Sequence, residues 1–166
     1  MAAKTGTYTL IASSTLGSSG TVTFSSIPQT YTDLIVVAAG TSTGNGQISL
    51  RFNGVTNSYS TTTLTGNGSI AGSTRETAAT YMQLGYWNYF TSGTYSSGYA
   101  HIFDYANTTT FKTVLSRMGN AATGIGASVG LWRSTAAITS VEVLPASYNF
   151  ASGTTVKLYG IEAGNQ

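Results

Sequence analysis

Apolar and polar residues alternate with a period of two along most of this 166-residue chain. In 46–53, for example, Ile48, Leu50 and Phe52 are separated by single polar residues. The run 34–39 is instead apolar throughout, as in a strand that is covered on both faces. A period of two is typical of β-strands, so the pattern predicts a β protein.

Turn-forming pairs such as Asn53-Gly54, Asn67-Gly68 and Ser152-Gly153 separate these runs. Segments 66–78 and 86–96 lack the alternation and are predicted to be longer loops. We predict about ten short strands, and the runs from which they are expected lie near 7–12, 20–25, 33–39, 46–53, 59–65, 79–86, 97–104, 111–118, 126–133, 137–145 and 154–161.

For one segment the pattern is compatible with either a helix or a strand. In 110–119, Phe111, Val114, Leu115 and Met118 have helical spacing, although Thr-rich flanks and Gly119 make a strand at least as good an interpretation. Many short strands separated by turns predict an all-β fold, a β-sandwich or jelly roll of about ten antiparallel strands. We expect a single domain over 1–166, with 1–6 and 162–166 as flexible or docking arms.

Charged residues are scarce. They make up 7% of the chain, against about 25% in an ordinary soluble domain. Thr (29 residues) and Ser (21 residues) provide the polarity, and a 41% apolar content argues against disorder. Removing a hydroxyl group from water costs less free energy than removing a charged group. A surface rich in hydroxyl groups therefore suits assembly with copies of itself or with a partner.

The composition also narrows the range of partners and compartments. The basic residues form no run or stripe, so we expect no nucleic acid partner. The longest apolar run, 34–39, is far too short for a membrane span, and the first residues do not resemble a signal peptide. We therefore expect synthesis in a cytoplasm and no membrane partner.

Candidate catalytic groups are few. The chain has one histidine, His101, which could pair with Asp104 or a hydroxyl, but we interpret it as a sheet or interface residue. The five acids lie in no recognisable catalytic setting, and there is no cysteine and no cluster typical of a metal site. We predict that the protein is not an enzyme and has no catalytic residue, metal site or cofactor.

Aromatic residues are concentrated in 81–105, which holds nine of the 19 in the chain. Tyr and Trp combine a large contact area with a polar tip, so they favour interfaces and also stack on sugar rings. This cluster could have one of three roles: its side chains could fill the core, form a subunit interface, or provide a platform for a glycan. The candidate interface residues are Tyr86, Trp87, Tyr89, Phe90 and Tyr95.

Several blocks of the chain resemble a known class of proteins. They are GTVTFSSIPQTYTDL (20–34), LRFNG (50–54), LWRSTAAITSV (131–141), LPASYNF (144–150) and TTVKLYGI (154–161). Together they are similar to small virion structural proteins of tailed bacteriophages, particularly phages of aquatic bacteria. The resemblance covers about 8–161, and its motifs are structural ones.

The resemblance implies a β-sandwich or jelly-roll domain displayed on the virus particle. The absence of heptads and shaft repeats favours a capsid decoration (cement) protein over a fibre. Such a protein would be made in the cytoplasm of the bacterial host and would bind the major capsid protein on the outer capsid, often as a homotrimer. Two alternatives stay open: a receptor- or glycan-binding module of a head fibre, tail fibre or tail tip, and a bacterial surface adhesin.

Overall fold

The computed structural model of the chain describes residues 7–18, 20–85 and 90–162. Over these ranges the chain forms twelve β-strands and no helix, so none that could cross a membrane. The strands are β1 (Tyr8–Thr15), β2 (Val22–Phe24), β3 (Asp33–Gly40), β4 (Ile48–Phe52), β5 (Tyr59–Gly66), β6 (Ala71–Ala79), β7 (Met82–Gln83), β8 (Ser96–Ile102), β9 (Lys112–Asn120), β10 (Gly124–Trp132), β11 (Val141–Pro145) and β12 (Thr155–Ile161).

The strands form two antiparallel sheets. The larger sheet has eight strands in the order β1-β12-β3-β8-β9-β10-β5-β6, and the smaller has four in the order β2-β11-β4-β7. This architecture confirms the all-β prediction and is compatible with a β-sandwich. A jelly-roll connectivity is not established by this strand order.

The core lies between the two sheets. Phe52 of β4 places its ring 6.1 Å from that of Tyr59 of β5 and 5.6 Å from that of Trp132 of β10. At Gly130 of β10 a Cβ atom would collide with the side chain of Met82 of β7. The smaller sheet therefore packs closely on β5 and β10, and the absence of a side chain at Gly130 is what permits this approach.

Two predictions of local structure are wrong. The segment 66–78, predicted to be a loop, contains β6, in which seven of the nine residues are exposed. The predicted strand over 79–86 is reduced to the two residues of β7, and Tyr86 lies outside the described residues. The segment 110–119 forms β9, so the helix left open there is excluded.

Asn53 and Gly54 form the tight turn that follows β4. Both have positive φ, at 52° and 68°, and the Val55 amide donates to the Phe52 carbonyl at 2.9 Å. The Asn53 carboxamide also contacts the segment before β11: it donates to Ala137 O and accepts from the amide of Thr139. This attachment holds 137–140 as a loop, so the strand predicted over 137–145 begins only at Val141.

Candidate functional site

The predicted aromatic interface is only partly described by the structure. Tyr86, Trp87 and Tyr89 lie outside the described residues. Tyr95 is well exposed, with 68% of its surface accessible. Phe90 is a core residue: it is 1% exposed and meets the ring of Phe150 edge-on at 5.6 Å. The chain's own interior therefore takes up the Phe90 side chain, which is a correction to its assignment as an interface residue.

His101 pairs with Asp33, which lies 68 positions earlier, whereas the sequence had left Asp104 or a hydroxyl group open as its partner. Its Nε2 atom is 2.8 Å from Asp33 Oδ2, while Asp33 Oδ1 accepts the amide of Asp104 at 2.7 Å. The imidazole also stacks on Phe103, with ring centroids 3.9 Å apart. These contacts join the start of β3 to the end of β8 and the turn after it.

The acids do not gather into a site in the described part of the chain. Glu142 of β11 pairs with Arg51 of β4 at 2.7 Å on the smaller sheet. No group of three or more potential metal ligands occurs among residues 7–18, 20–85 and 90–162.

The most unusual surface is the face of the eight-stranded sheet that points away from the smaller sheet, here called the outer face. In β10 the residues Gly126, Ser128 and Gly130 point inward and are buried. Ile125 and Val129 point outward and are 60% and 45% exposed. Over 125–130, β10 therefore exposes its branched aliphatic side chains and turns its small residues inward, while the next inward residue, Trp132, belongs to the core.

The neighbouring strands β5 and β9 also expose one leucine each, while their inner sides combine hydroxyl side chains with core residues such as Tyr59 and Val114. On the inner side, the Thr63 and Ser128 hydroxyls hydrogen-bond to each other at 2.9 Å, and Ser116 donates to Leu84 O at 3.0 Å. On the outer side, Leu64 is 63% exposed and Leu115 is 48% exposed. The hydroxyls of Thr63, Ser116 and Ser128 thus have partners between the sheets. Leu64 and Leu115 of the same strands as Thr63 and Ser116 face water.

These outward side chains are contiguous. Val129 of β10 lies opposite Leu115 of β9, and Ala127 of β10 lies opposite Leu64 of β5. Residues directly opposite one another on neighbouring strands are in side-chain contact range. We call the set Leu64, Leu115, Ile125 and Val129 the apolar patch.

Two grooves run beside the apolar patch and share Tyr99 and Arg117. The first, of about 740 Å³, is lined by these two residues, Ile125 and small residues of the adjoining strands such as Gly66. The second, of about 520 Å³, lies over Leu64, Leu115 and Val129. Grooves of this size are in the range of ligand-binding sites.

Arg117 lies over the ring of Tyr99, with its guanidinium carbon 5.0 Å from the ring centroid, which is a cation–π contact. Burial raises the pKa of the Tyr99 hydroxyl above its ordinary value, the neighbouring Tyr8 adds to this, and the Arg117 charge opposes it. The stacking holds the guanidinium in a defined place between the two grooves.

Basic side chains are also concentrated on the outer face. Strand alternation places Arg75, Arg117 and Lys157 there, and Arg133 donates to Ser60 Oγ at its end. None of these four forms an ion pair with another described residue. Three acids lie within the described strands. Asp33 is on the outer face and is bonded to His101. Glu76 is on the opposite side of the larger sheet, and Glu142 belongs to the smaller sheet. The outer face is therefore apolar and positively charged.

Sequence reasoning did not find the outer face, although its residues were visible in the alternation of β9 and β10. The missing information was which side of those strands is covered. Comparison with known proteins assigns no family: no family model matches the chain, and no curated protein matches it.

Proposed function

We propose that this chain is a non-enzymatic structural protein of a bacteriophage particle, a decoration protein that binds the outer capsid and stabilises it. The exposed apolar patch on β5, β9 and β10 is the observation that carries the proposal. A sheet that exposes Leu64, Leu115, Ile125 and Val129 while it buries hydroxyl groups leaves apolar area to be covered by a partner. The resemblance of the sequence to small virion proteins suggests the kind of partner.

The mechanism under this proposal is mechanical. A decoration protein that contacts two adjacent capsid subunits stabilises the shell, because binding favours the assembled state over the separated one. Apolar contact by the outer face would provide most of the free energy, since removing apolar surface from water is favourable in proportion to its area. The scarcity of charge lowers the desolvation cost of such a contact. The partners in this proposal are the major capsid protein and further copies of the chain, as a homotrimer.

Location on the particle tests the proposal. Particles of the virus whose genome encodes this sequence would be labelled with an antibody against the purified chain and imaged by electron microscopy. We expect label on the capsid faces, and sedimentation of the purified chain at the mass of a trimer. Label at the tail or on fibres alone would reject decoration in favour of the alternative, and unlabelled particles would reject both.

The alternative is a glycan-binding module of a fibre or tail tip, and one observation favours it. The larger groove has a volume in the range of ligand-binding sites and is lined by polar residues, among them Asn67 and Asn120, whose side chains are fixed by hydrogen bonds to the turns that follow them. Gly66 lines this groove, and a Cβ atom there would have open space around it. If the chain binds an immobilised glycan, Gly66→Val is expected to weaken that binding at least about tenfold.

A further inference from the structure

The proposed function leaves open the chemistry of the surface that the outer face would contact. Two properties of the outer face bear on it. Its centre is aliphatic, formed by the apolar patch, and basic side chains lie on the same face. Arg117 lies beside the patch opposite Ala127, and Lys157 lies in the same cross-strand row, beyond Tyr99 and Val37.

Charge argues against a second copy of this chain on this face. A two-fold contact would place the outer face against itself. Arg75, Arg117, Arg133 and Lys157 would then meet an equally basic surface, and like charges brought together across an interface cost free energy. Two acids that could offset this charge are already paired: Glu142 is bound to Arg51 on the smaller sheet, and Asp33, although it lies on the outer face, is bound to His101.

The same side chains argue against nucleic acid and against a lipid surface. Single-stranded nucleic acid is bound by exposed aromatic rings, but the ring of Tyr99 is covered by Arg117 and the exposed centre is aliphatic. Anionic bilayers are bound by clusters of basic residues on one short segment or amphipathic helix, whereas the four basic residues here are single positions on or beside four strands. Three of the four patch residues, Leu64, Leu115 and Val129, lie well within strands of the sheet, and Ile125 lies near the start of β10, after the turn between β9 and β10.

We infer that the outer face docks a protein surface that is apolar at its centre and carries carboxylates where it meets Arg117 and Lys157. This inference rests on the proposed function and gives the chemistry of the capsid surface to which the chain would bind. The apolar patch provides the contact area. The guanidinium of Arg117, which stacks on Tyr99, can donate a bidentate pair of hydrogen bonds to a carboxylate. Because Arg117 is already ordered, little side-chain entropy is lost on binding.

The test uses empty shells assembled from the major capsid protein of the same genome, with binding of the purified chain measured by co-sedimentation at several salt concentrations. Leu115→Thr combined with Val129→Thr makes the centre polar and places threonine, a β-branched residue that favours strands, at both positions. Arg117→Glu reverses the central charge. The control is Tyr148→Thr, since Tyr148 is 50% exposed but lies outside the outer face.

We expect the double variant and Arg117→Glu each to weaken binding at least about tenfold, and Tyr148→Thr to change it less than about twofold. Binding of the unaltered chain should weaken as salt rises, and that of Arg117→Glu should not. Thermal unfolding of each variant would show that it is folded, as expected from the exposure of the substituted side chains. If Arg117→Glu fails to fold, Lys157→Glu replaces it with the same expectation.

The outcomes separate the two proposals. If the unaltered chain does not bind the shells, the proposed function and this inference are both rejected. If it binds and the outer-face variants bind equally well, only the inference is rejected. Binding to vesicles of phosphatidylcholine and phosphatidylserine, or to a thymidine oligonucleotide, that Arg117→Glu abolishes would also overturn it, as would self-association lost in the double variant.

Discussion

Tyr59 is completely buried between the sheets, and its hydroxyl group has three backbone partners. It accepts the Phe52 amide at 2.8 Å and lies within donating distance of the carbonyls of Val55 (3.1 Å) and Phe52 (3.4 Å). Burial raises the pKa of Tyr59 from 10.0 to about 12, although the bond from the Phe52 backbone opposes this. The folded state therefore keeps a proton that the unfolded chain loses near pH 10.

The first prediction concerns alkaline pH. Between pH 10 and about 12 the unfolded chain binds fewer protons at Tyr59 than the folded chain, so the free energy of unfolding falls as pH rises, by about 3 kcal/mol from this group. The stabilising contribution of Tyr59 is fully present below pH 10, and it is lost as the pH rises through the folded-state pKa of about 12. Urea unfolding at one-unit intervals from pH 8 to pH 12 measures it.

Tyr59→Phe is the comparison for this prediction. It should be less stable at pH 8 by about 1–2 kcal/mol, because the Phe52 amide loses its partner, but its stability should decline less steeply above pH 10. Tyr99 and Tyr105 are unchanged in the variant, so the difference between the two slopes isolates Tyr59. Equal slopes would show that its ionisation is not coupled to folding.

Lys112 is a second fully buried ionisable residue, with 0% of its surface exposed. Its ammonium group donates to Thr110 O at 2.9 Å and to Thr135 O at 3.3 Å, so it joins two loops at one end of the sandwich. Burial lowers the pKa of Lys112 below 10.5, and the Asp104 carboxylate opposes that shift.

Acetylation of lysines tests this burial. With an acetyl ester at pH 8, we expect Lys157, which is exposed on β12, to be modified at least about ten times faster than Lys112 in the folded protein, because Lys112 reacts only when the chain opens. In denaturant the two rates should become similar. Peptide mass spectrometry follows both sites, and similar rates without denaturant would contradict the burial.

At the scale of single elements, glycine has two different roles in this chain. Gly54 has φ of +68° in the turn between β4 and β5, where a side chain would strain the backbone. Gly66 lies at the end of β5, where a Cβ atom would meet open space and the backbone is not left-handed. Gly54 is required by its backbone conformation. At Gly66 it is the missing side chain that matters, because it leaves space in the larger groove.

We therefore predict opposite effects of the same substitution. Gly54→Ala should lower the free energy of unfolding by about 1 kcal/mol, because alanine disfavours a positive φ. Gly66→Ala should leave it unchanged or raise it by up to about 1 kcal/mol, because alanine reduces the entropy of the unfolded chain. Denaturant unfolding of both variants provides the measurement, and loss of stability in Gly66→Ala would contradict the assignment of open space.

At the scale of the whole molecule, three aromatic side chains join the two sheets. Phe52 of the smaller sheet contacts both Tyr59 and Trp132 of the larger sheet, and the latter two stack at 6.2 Å. All three are at most 1% exposed. Because this cluster belongs to both sheets, the sheets are expected to unfold together.

Phe52→Ala should cost about 3–5 kcal/mol of stability, the usual result of removing a buried phenyl ring. Leu64→Thr, on the apolar patch, is the control and should change stability by less than about 0.5 kcal/mol, because Leu64 is exposed in the isolated chain. Tryptophan fluorescence and far-ultraviolet circular dichroism should give the same transition. Separate transitions would mean that the sheets unfold independently.

The alternation of residue types was sufficient to predict the fold class and most strands. It failed where a strand has no covered face: β6, AGSTRETAA, has no apolar alternation because almost all of it is exposed. It was ambiguous in β9, where Val114 and Met118 point inward while Leu115 points outward. Apolar residues on both faces of one strand produced the spacing that also fitted a helix.

The candidate site could not be predicted in the same way. Alternation shows which residues share one face of a strand, but the side covered by the other sheet depends on distant residues, such as Met82 against Gly130. The pairing of His101 with Asp33 and the burial of Phe90 are long-range outcomes of the same kind. The sequence by itself thus determined an all-β, charge-poor chain, because strand periodicity and composition are local properties. Only the tertiary structure decided that Leu64, Leu115, Ile125 and Val129 face outward, because that depends on where the second sheet packs.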